Sequence, residues 1–238
     1  SNCHNPHSNA LVAEGNAVCT QCHKSETYDA PTHHRHLATS TGSACVDCHM
    51  PSQVYMGVDA RRDHSMRIPR PGVSLSTGSP NACTQCHEDQ SDSWAYDALQ
   101  KWGVSTDFQE LSLVKARFAA DRGDIRSLPT LESVVTDEER SPLMRASLIE
   151  QLSNLGSRQL PSLTAMLLRA DAPELRASAV RATRSMPPAQ RYLMLRPFIR
   201  DPVLTIRMEV AQVLAGVPAS ELRPQDIDDL KPLFEEYL

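Results

Sequence analysis

The chain has 238 residues, 40% of them apolar and only 5% aromatic, which is thin for two protein-only cores although the length allows two modest domains. A net charge of -5 and a pI near 6.0 exclude a global basic footprint for nucleic acid. No apolar run approaches the length that spans a membrane.

Composition divides the chain. All seven cysteines and all nine histidines lie before residue 93, and Leu, Ala and Arg in helical periodicity follow. Two domains are therefore expected, 1–92 and 93–238, with the boundary between about Ser91 and Gly103.

The chain opens Ser1-Asn2-Cys3-His4. This is the second half of a pattern written three times further on: Cys19-Thr-Gln-Cys22-His23, Cys45-Val-Asp-Cys48-His49 and Cys83-Thr-Gln-Cys86-His87. Cys-x-x-Cys-His is the attachment signature of a c-type haem. Two thiols three residues apart each bond one vinyl-derived carbon of the same porphyrin, and the next His lies under the iron as proximal ligand. Cys3 then makes the cysteine count odd because its own partner would fall just before residue 1. The expectation is a fragment with three haem c groups and a fourth partly encoded. The alternatives for such pairs are half of a zinc site or a redox dithiol, and for Cys3 a free thiol. Zinc does not require the His, and a dithiol enzyme needs one pair rather than three.

Residues 1–90 are rich in Gly, Pro, Ser, Thr and Asn. Short helices carrying each motif are expected, joined by irregular loops, with haem as the packing centre. His4, His23, His49 and His87 are the proximal ligands. His7, His33, His34, His36 and His64 remain, and five free imidazoles suffice to give four irons a sixth ligand. His7, one helical turn after His4, is expected to serve another haem, that of Cys19 and Cys22. One or two of His33, His34 and His36 are expected to reach iron, as is His64, its second N–H taken by Asp63 or a backbone carbonyl. Met50, Met56 and Met66 compete for the role, with Met56 and Met66 expected against porphyrin faces. Arg61, Arg62, Arg67 and Arg70 form a basic run whose forks suit haem propionates, the alternative being a solvated face. Pro69, Pro71 and Gly72 mark an extended connector before the last motif. Trp94 and Trp102 sit at helical spacing, expected to clamp their helix to the last haem or to the second half.

The second half repeats itself. Arg145-Ala-Ser-Leu-Ile, Arg176-Ala-Ser-Ala-Val and Arg207-Met-Glu-Val-Ala are 31 residues apart each time. Leu148, Ala179 and Val210 align, as do Leu152, Thr183 and Leu214, while Asp171-Ala-Pro173 and Asp201-Pro202 break the chain between units. A fixed period with two helices per unit means an α-solenoid, similar to HEAT repeats though with shorter units. A degenerate earlier unit is expected over Glu110 to Val135, and a last helix over about Asp226 to Tyr237. With no His and no Cys, this half offers no catalytic constellation. Its expected work is docking. The fold class is thus mostly α, an irregular multihaem cytochrome c segment followed by an α-solenoid of HEAT-like pairs.

The block Cys45-Val-Asp-Cys48-His49-Met50-Pro51, with Tyr55-Met56, Val58-Asp59-Ala60-Arg61-Arg62-Asp63-His64, Arg67-Ile68-Pro69-Arg70-Pro71 and Pro80-Asn81-Ala82-Cys83, carries a resemblance. It resembles bacterial multihaem cytochromes c in which haem motifs are followed by HEAT-like and then tetratricopeptide repeats. The resemblance implies an extracytoplasmic electron carrier, periplasmic or at the cell surface, with further haems and repeats at both ends. It implies redox proteins or neighbouring haem domains as partners, and no nucleic acid. Such proteins are often labelled as relatives of ammonia-forming nitrite reductases, which resemble one another in a catalytic haem motif Cys-x-x-Cys-Lys; none is present here. The reading is electron transfer through bis-His haems, with no catalytic residues assigned. Its rivals are a multihaem reductase of nitrite or hydroxylamine, and a zinc-binding scaffold.

Overall fold

The computed structural model describes residues 2–105 and 110–237. The chain is mostly helical and divides into two compact units, Ser1–Phe108 and Gln109–Leu238.

The first unit holds short pieces: α1 (Ala17–Thr20), α2 (Ser25–Tyr28), α3 (Pro31–His34), α4 (Cys45–His49), a hairpin of β1 (Ser52–Tyr55) and β2 (Asp59–Arg62), then α5 (Pro71–Thr77) and α6 (Asp92–Lys101). The hairpin was not expected. Its antiparallel register pairs Ser52 with Arg62 and Tyr55 with Asp59. Met56 (φ +52°) and Gly57 (φ +74°) turn the chain with two consecutive left-handed residues, which matches the twist of the flanking strands. The connector foreseen as extended at Pro71 is a helix instead. Pro71 occupies its first turn, where the missing N–H costs nothing, and Gly78 ends it at φ +69°. α6 packs on α5 and so belongs to this unit, although the composition changes before it. The physical reason is Ala95 on its inner face, 1% exposed.

Among the described residues of this unit, the buried apolar side chains are Pro71, Ala82 and Ala95 alone. Leu37, Val54, Met56, Val58 and Ile68 stand exposed. Among the described residues, the first unit has very little apolar core.

The second unit is the opposite. Its helices are α7 (Leu111–Ala120), α8 (Leu128–Thr136), α9 (Pro142–Asn154), α10 (Leu160–Leu167), α11 (Pro173–Ala182), α12 (Pro188–Leu195), α13 (Leu204–Leu214) and α14 (Pro224–Tyr237). α9 packs on α11 and α11 on α13, so alternate helices form one row. Leu148, Ala179 and Val210 sit at equivalent places in that row, each fully buried, and Leu152, Thr183 and Leu214 repeat the pattern one turn later. The polar member is satisfied locally, the Thr183 hydroxyl donating to the Val180 carbonyl at 2.7 Å.

The recurring arginine has a structural task. Arg145 Nε donates to the Val135 carbonyl at 2.8 Å, Arg176 to those of Ala170 and Asp171 at 2.9 and 2.8 Å, and Arg207 to that of Asp201 at 2.8 Å. Carbonyls at the end of a helix lack intrahelical partners, and each arginine fills that need for the helix or loop before its own. Two of them also reach forward, Arg176 to the Asp201 carboxylate at 3.2 Å and Arg207 to Glu236.

Candidate haem-binding site

Each complete motif closes one helical turn. The His23 N–H donates to the Cys19 carbonyl at 3.1 Å and the His87 N–H to that of Cys83 at 2.9 Å, while α4 is itself the middle motif. Such a turn puts two thiols and an imidazole on one side of a short segment. Two asparagines to which the sequence reading gave no role organise these turns. Asn81 Oδ1 accepts the Cys83 and Thr84 N–H groups at 3.0 and 3.2 Å. Asn16, just before the first motif, accepts the Cys45 N–H at 2.9 Å and donates to Asp29 at 2.7 Å, tying the first motif to the second. The middle motif also meets its neighbours through sulfur. Burial first, and then the nearby Cys19 thiol, pushes Cys45 up to about 11. Burial, then nearby Cys83, raises Cys48. An open cleft of about 470 Å³ beside it is lined by Asp47, Arg62, Pro80 and Cys86, among others.

The histidines come together in pairs. His4 lies 6.3 Å from His64 between ring centres, at 35°. His33 lies 6.2 Å from His49 and nearly parallel, at 11°. His36 lies 6.1 Å from His87, at 29°. Each pair joins a motif histidine to a free one. A metal–imidazole bond is about 2.0–2.1 Å and a ring centre lies about 1.1 Å behind its nitrogen, so imidazoles on opposite sides of one metal have centres about 6.3 Å apart.

Their tautomers are set as a ligand needs. The Nδ1 atoms of His4, His49, His64 and His36 bond the backbone carbonyls of Asn9, Arg67, Arg62 and His34, at 2.9, 2.9, 2.9 and 2.5 Å. A carbonyl only accepts, so Nδ1 carries a proton in each of these rings, and in a neutral ring Nε2 is then the nitrogen able to bind a metal. For His64 the partner is thus a carbonyl, one of the two groups expected, while Asp63 caps the Ser65 N–H. Burial first, and then His49, lowers the pKa of His33, favouring the neutral ring.

The remaining histidines behave differently. The ring nearest His23 is that of Tyr28, edge-on at 5.4 Å, and Tyr28 in turn meets His33 at 5.5 Å. His7 is exposed in the turn that closes a short bridge between His4 and Leu11, not one helical turn beyond His4, and no described ring faces it. His34 and His36 lie 6.4 Å apart, but the His36 N–H donates to His34 Nδ1 at 3.2 Å, which leaves the His34 proton on Nε2, buried without a partner.

Met56 and Met66 are exposed, both at positive φ. Arg61 pairs with Asp59 at 2.9 Å and lies over the Tyr55 ring at 4.8 Å; Arg62 pairs with Asp47 at 2.9 Å. Trp94, one of the two tryptophans singled out, rests 4.9 Å from the His87 ring. Gly42 carries a constraint that the sequence hid: a Cβ there would fall 2.4 Å from the His36 ring.

This donor set fits haem better than zinc. Among the described residues no three His, Cys, Asp or Glu side chains converge on one point, as a zinc ion requires. A porphyrin supplies four of its iron's six ligands, so facing imidazoles in pairs are what remains for protein to provide. Residues 1–28 match the family model described as a doubled CXXCH motif, a stretch that contains both Cys3-His4 and Cys19 to His23. No curated protein and no solved structure matches the chain. The chain carries the haem-binding motifs of a c-type cytochrome.

Proposed function

We propose that the chain transfers electrons through c-type haems held on Cys19/Cys22, Cys45/Cys48 and Cys83/Cys86, with a fourth at Cys3. The observation that carries this reading is the three facing imidazole pairs, in which four of the six rings bond a backbone carbonyl through Nδ1. Haem bound there supplies a one-electron iron couple. The protein's own part is to fix imidazoles through backbone carbonyls, both rings in the His4–His64 pair and one ring in each of the others, and to bring successive motifs into contact. Arg61 and Arg62 stand ready for propionates. Their present pairs with Asp59 and Asp47 are partly exposed, and surface pairs of that kind contribute little and exchange easily. The shortage of buried apolar side chains supports the same reading, since a macrocycle would supply the missing packing surface.

The second unit serves this function as a HEAT-like α-solenoid that docks redox partners or neighbouring haem domains, outside the cytoplasm. Its support is the 31-residue period, the single row formed by α9, α11 and α13, and the arginine that links each unit to the last.

A second reading is favoured by one observation. No described histidine faces His23. An iron there with a free sixth position would suit a reductase of nitrite or hydroxylamine. Absorption spectra of the oxidised and reduced protein, with haem counted by its pyridine adduct, test both. Three or four haems with low-spin bands throughout are expected of the carrier. A high-spin component that shifts with nitrite or hydroxylamine would favour the reductase, and a colourless zinc protein would refute both.

A further inference from the structure

The segment Pro31–His36 bears two of the three free imidazoles found in pairs, and they face different motifs. In a regular helix, residues three apart share one face. His33 and His36 do not, because α3 stops after His34 and Arg35 adopts the left-handed conformation, φ +61°. That turn sends the His36 ring towards His87 while His33 stays against His49. The short contact between His36 Nδ1 and the His34 carbonyl then locks the second ring, and Gly42 leaves the space it occupies.

Building on the haem reading above, we propose that this one turn supplies the sixth ligand to two different irons. His33 serves the haem of Cys45 and Cys48, and His36 that of Cys83 and Cys86. Four residues of chain, His33 to His36, thereby clip two haems into one unit. His34, between them, takes no part in either pair. Its Nδ1 accepts the backbone N–H that positions His36. Gly42 is a positioning residue: any side chain there displaces His36 and opens one iron while the other keeps its ligands.

The test uses the haem-loaded full chain, with spin state read by electron paramagnetic resonance and haem counted by the pyridine adduct. His33→Ala and His36→Ala are each expected to convert one haem from low to high spin without changing the haem count, since the thioether bonds are untouched. Free imidazole is expected to restore low spin in both. The double variant is expected to convert two haems, and Gly42→Ala to reproduce His36→Ala alone. Should either Ala variant lose haem during assembly, His33→Met and His36→Met keep a ligand in place and are each expected to raise the potential of one haem. Unchanged spin states, or a double variant no worse than a single one, would overturn the clip while leaving the carrier reading intact. Absence of haem from the unaltered protein would overturn the carrier reading first.

Discussion

At the residue scale, the most instructive side chain is an arginine in a helical row. Arg145 is 8% exposed, and its Nε holds the Val135 carbonyl at the end of α8. Replacing it with Ala leaves that carbonyl unpaired in a buried setting, a loss of about 1.5–3 kcal/mol for a hydrogen bond to a charged group. Arg126 offers the contrast. Its side chain is 87% exposed and bonds only its neighbour Asp124. Denaturant unfolding followed by helical circular dichroism is expected to show Arg145→Ala destabilised by about 2 kcal/mol and Arg126→Ala almost unchanged. Both are charged residues in helical surroundings, and burial together with the carbonyl that Arg145 reaches separates them. The sequence displayed Arg145 through its 31-residue echo, yet the echo alone did not reveal which carbonyl it serves.

At the element scale, the start of α14 shows how a short acid fixes a helix. Asp226, 3% exposed, accepts the Arg223 N–H at 3.1 Å and two bonds from the Arg223 guanidinium at 3.0 Å. Those bonds from Arg223 hold its carboxyl well below the usual range, against the opposing effect of burial. A depressed folded pKa means stability that is complete above the ordinary carboxylate value of about 3.9 and lost as pH falls below it towards the folded value. Asp226→Asn is therefore expected to flatten the decline in stability between pH 4 and the acid limit, measured by thermal unfolding across that range, with the loss appearing instead at neutral pH. Elements also divide by how legible they are. The helices of the second unit could be read because their buried positions recur, as Leu148, Ala179 and Val210 do. The hairpin over 52–62 could not, because both strands are exposed along their whole length and show no alternation between core and solvent. α5 was hidden by Pro71, which reads as a breaker within a helix but as a favourable first residue at its start.

At the scale of the whole molecule, the two units rest on different physics. The second has a continuous apolar cluster from Leu113 to Leu233. The first has three buried apolar side chains among its described residues, and under the proposed function its order would come from bound haem. Replacing Cys3, Cys19, Cys22, Cys45, Cys48, Cys83 and Cys86 with Ser is expected to abolish haem attachment and amide-exchange protection over residues 2–105 while leaving protection over 110–237. Equal protection in both halves would show that the first unit folds on protein contacts alone. The haem motifs were plain in the sequence because covalent attachment demands a fixed spacing. The imidazole partners were not, since His64 and His4 are sixty residues apart and only the folded chain brings their rings to 6.3 Å. Asn16, Asn81 and Gly42 escaped for the same reason: an asparagine that caps a distant turn, or a glycine that makes room for a ring, looks ordinary until its neighbour is known.

The carbonyl bonds of the second unit's arginines run back along the chain, while the carboxylate pairs of Arg176 and Arg207 run forward. The carbonyl of Val135 is taken up by Arg145, ten residues later, and that of Asp201 by Arg207, six residues later. The carbonyl left over by one helical pair is thus met from the opening turn of the next helix, so each pair relies on its successor to satisfy its backbone.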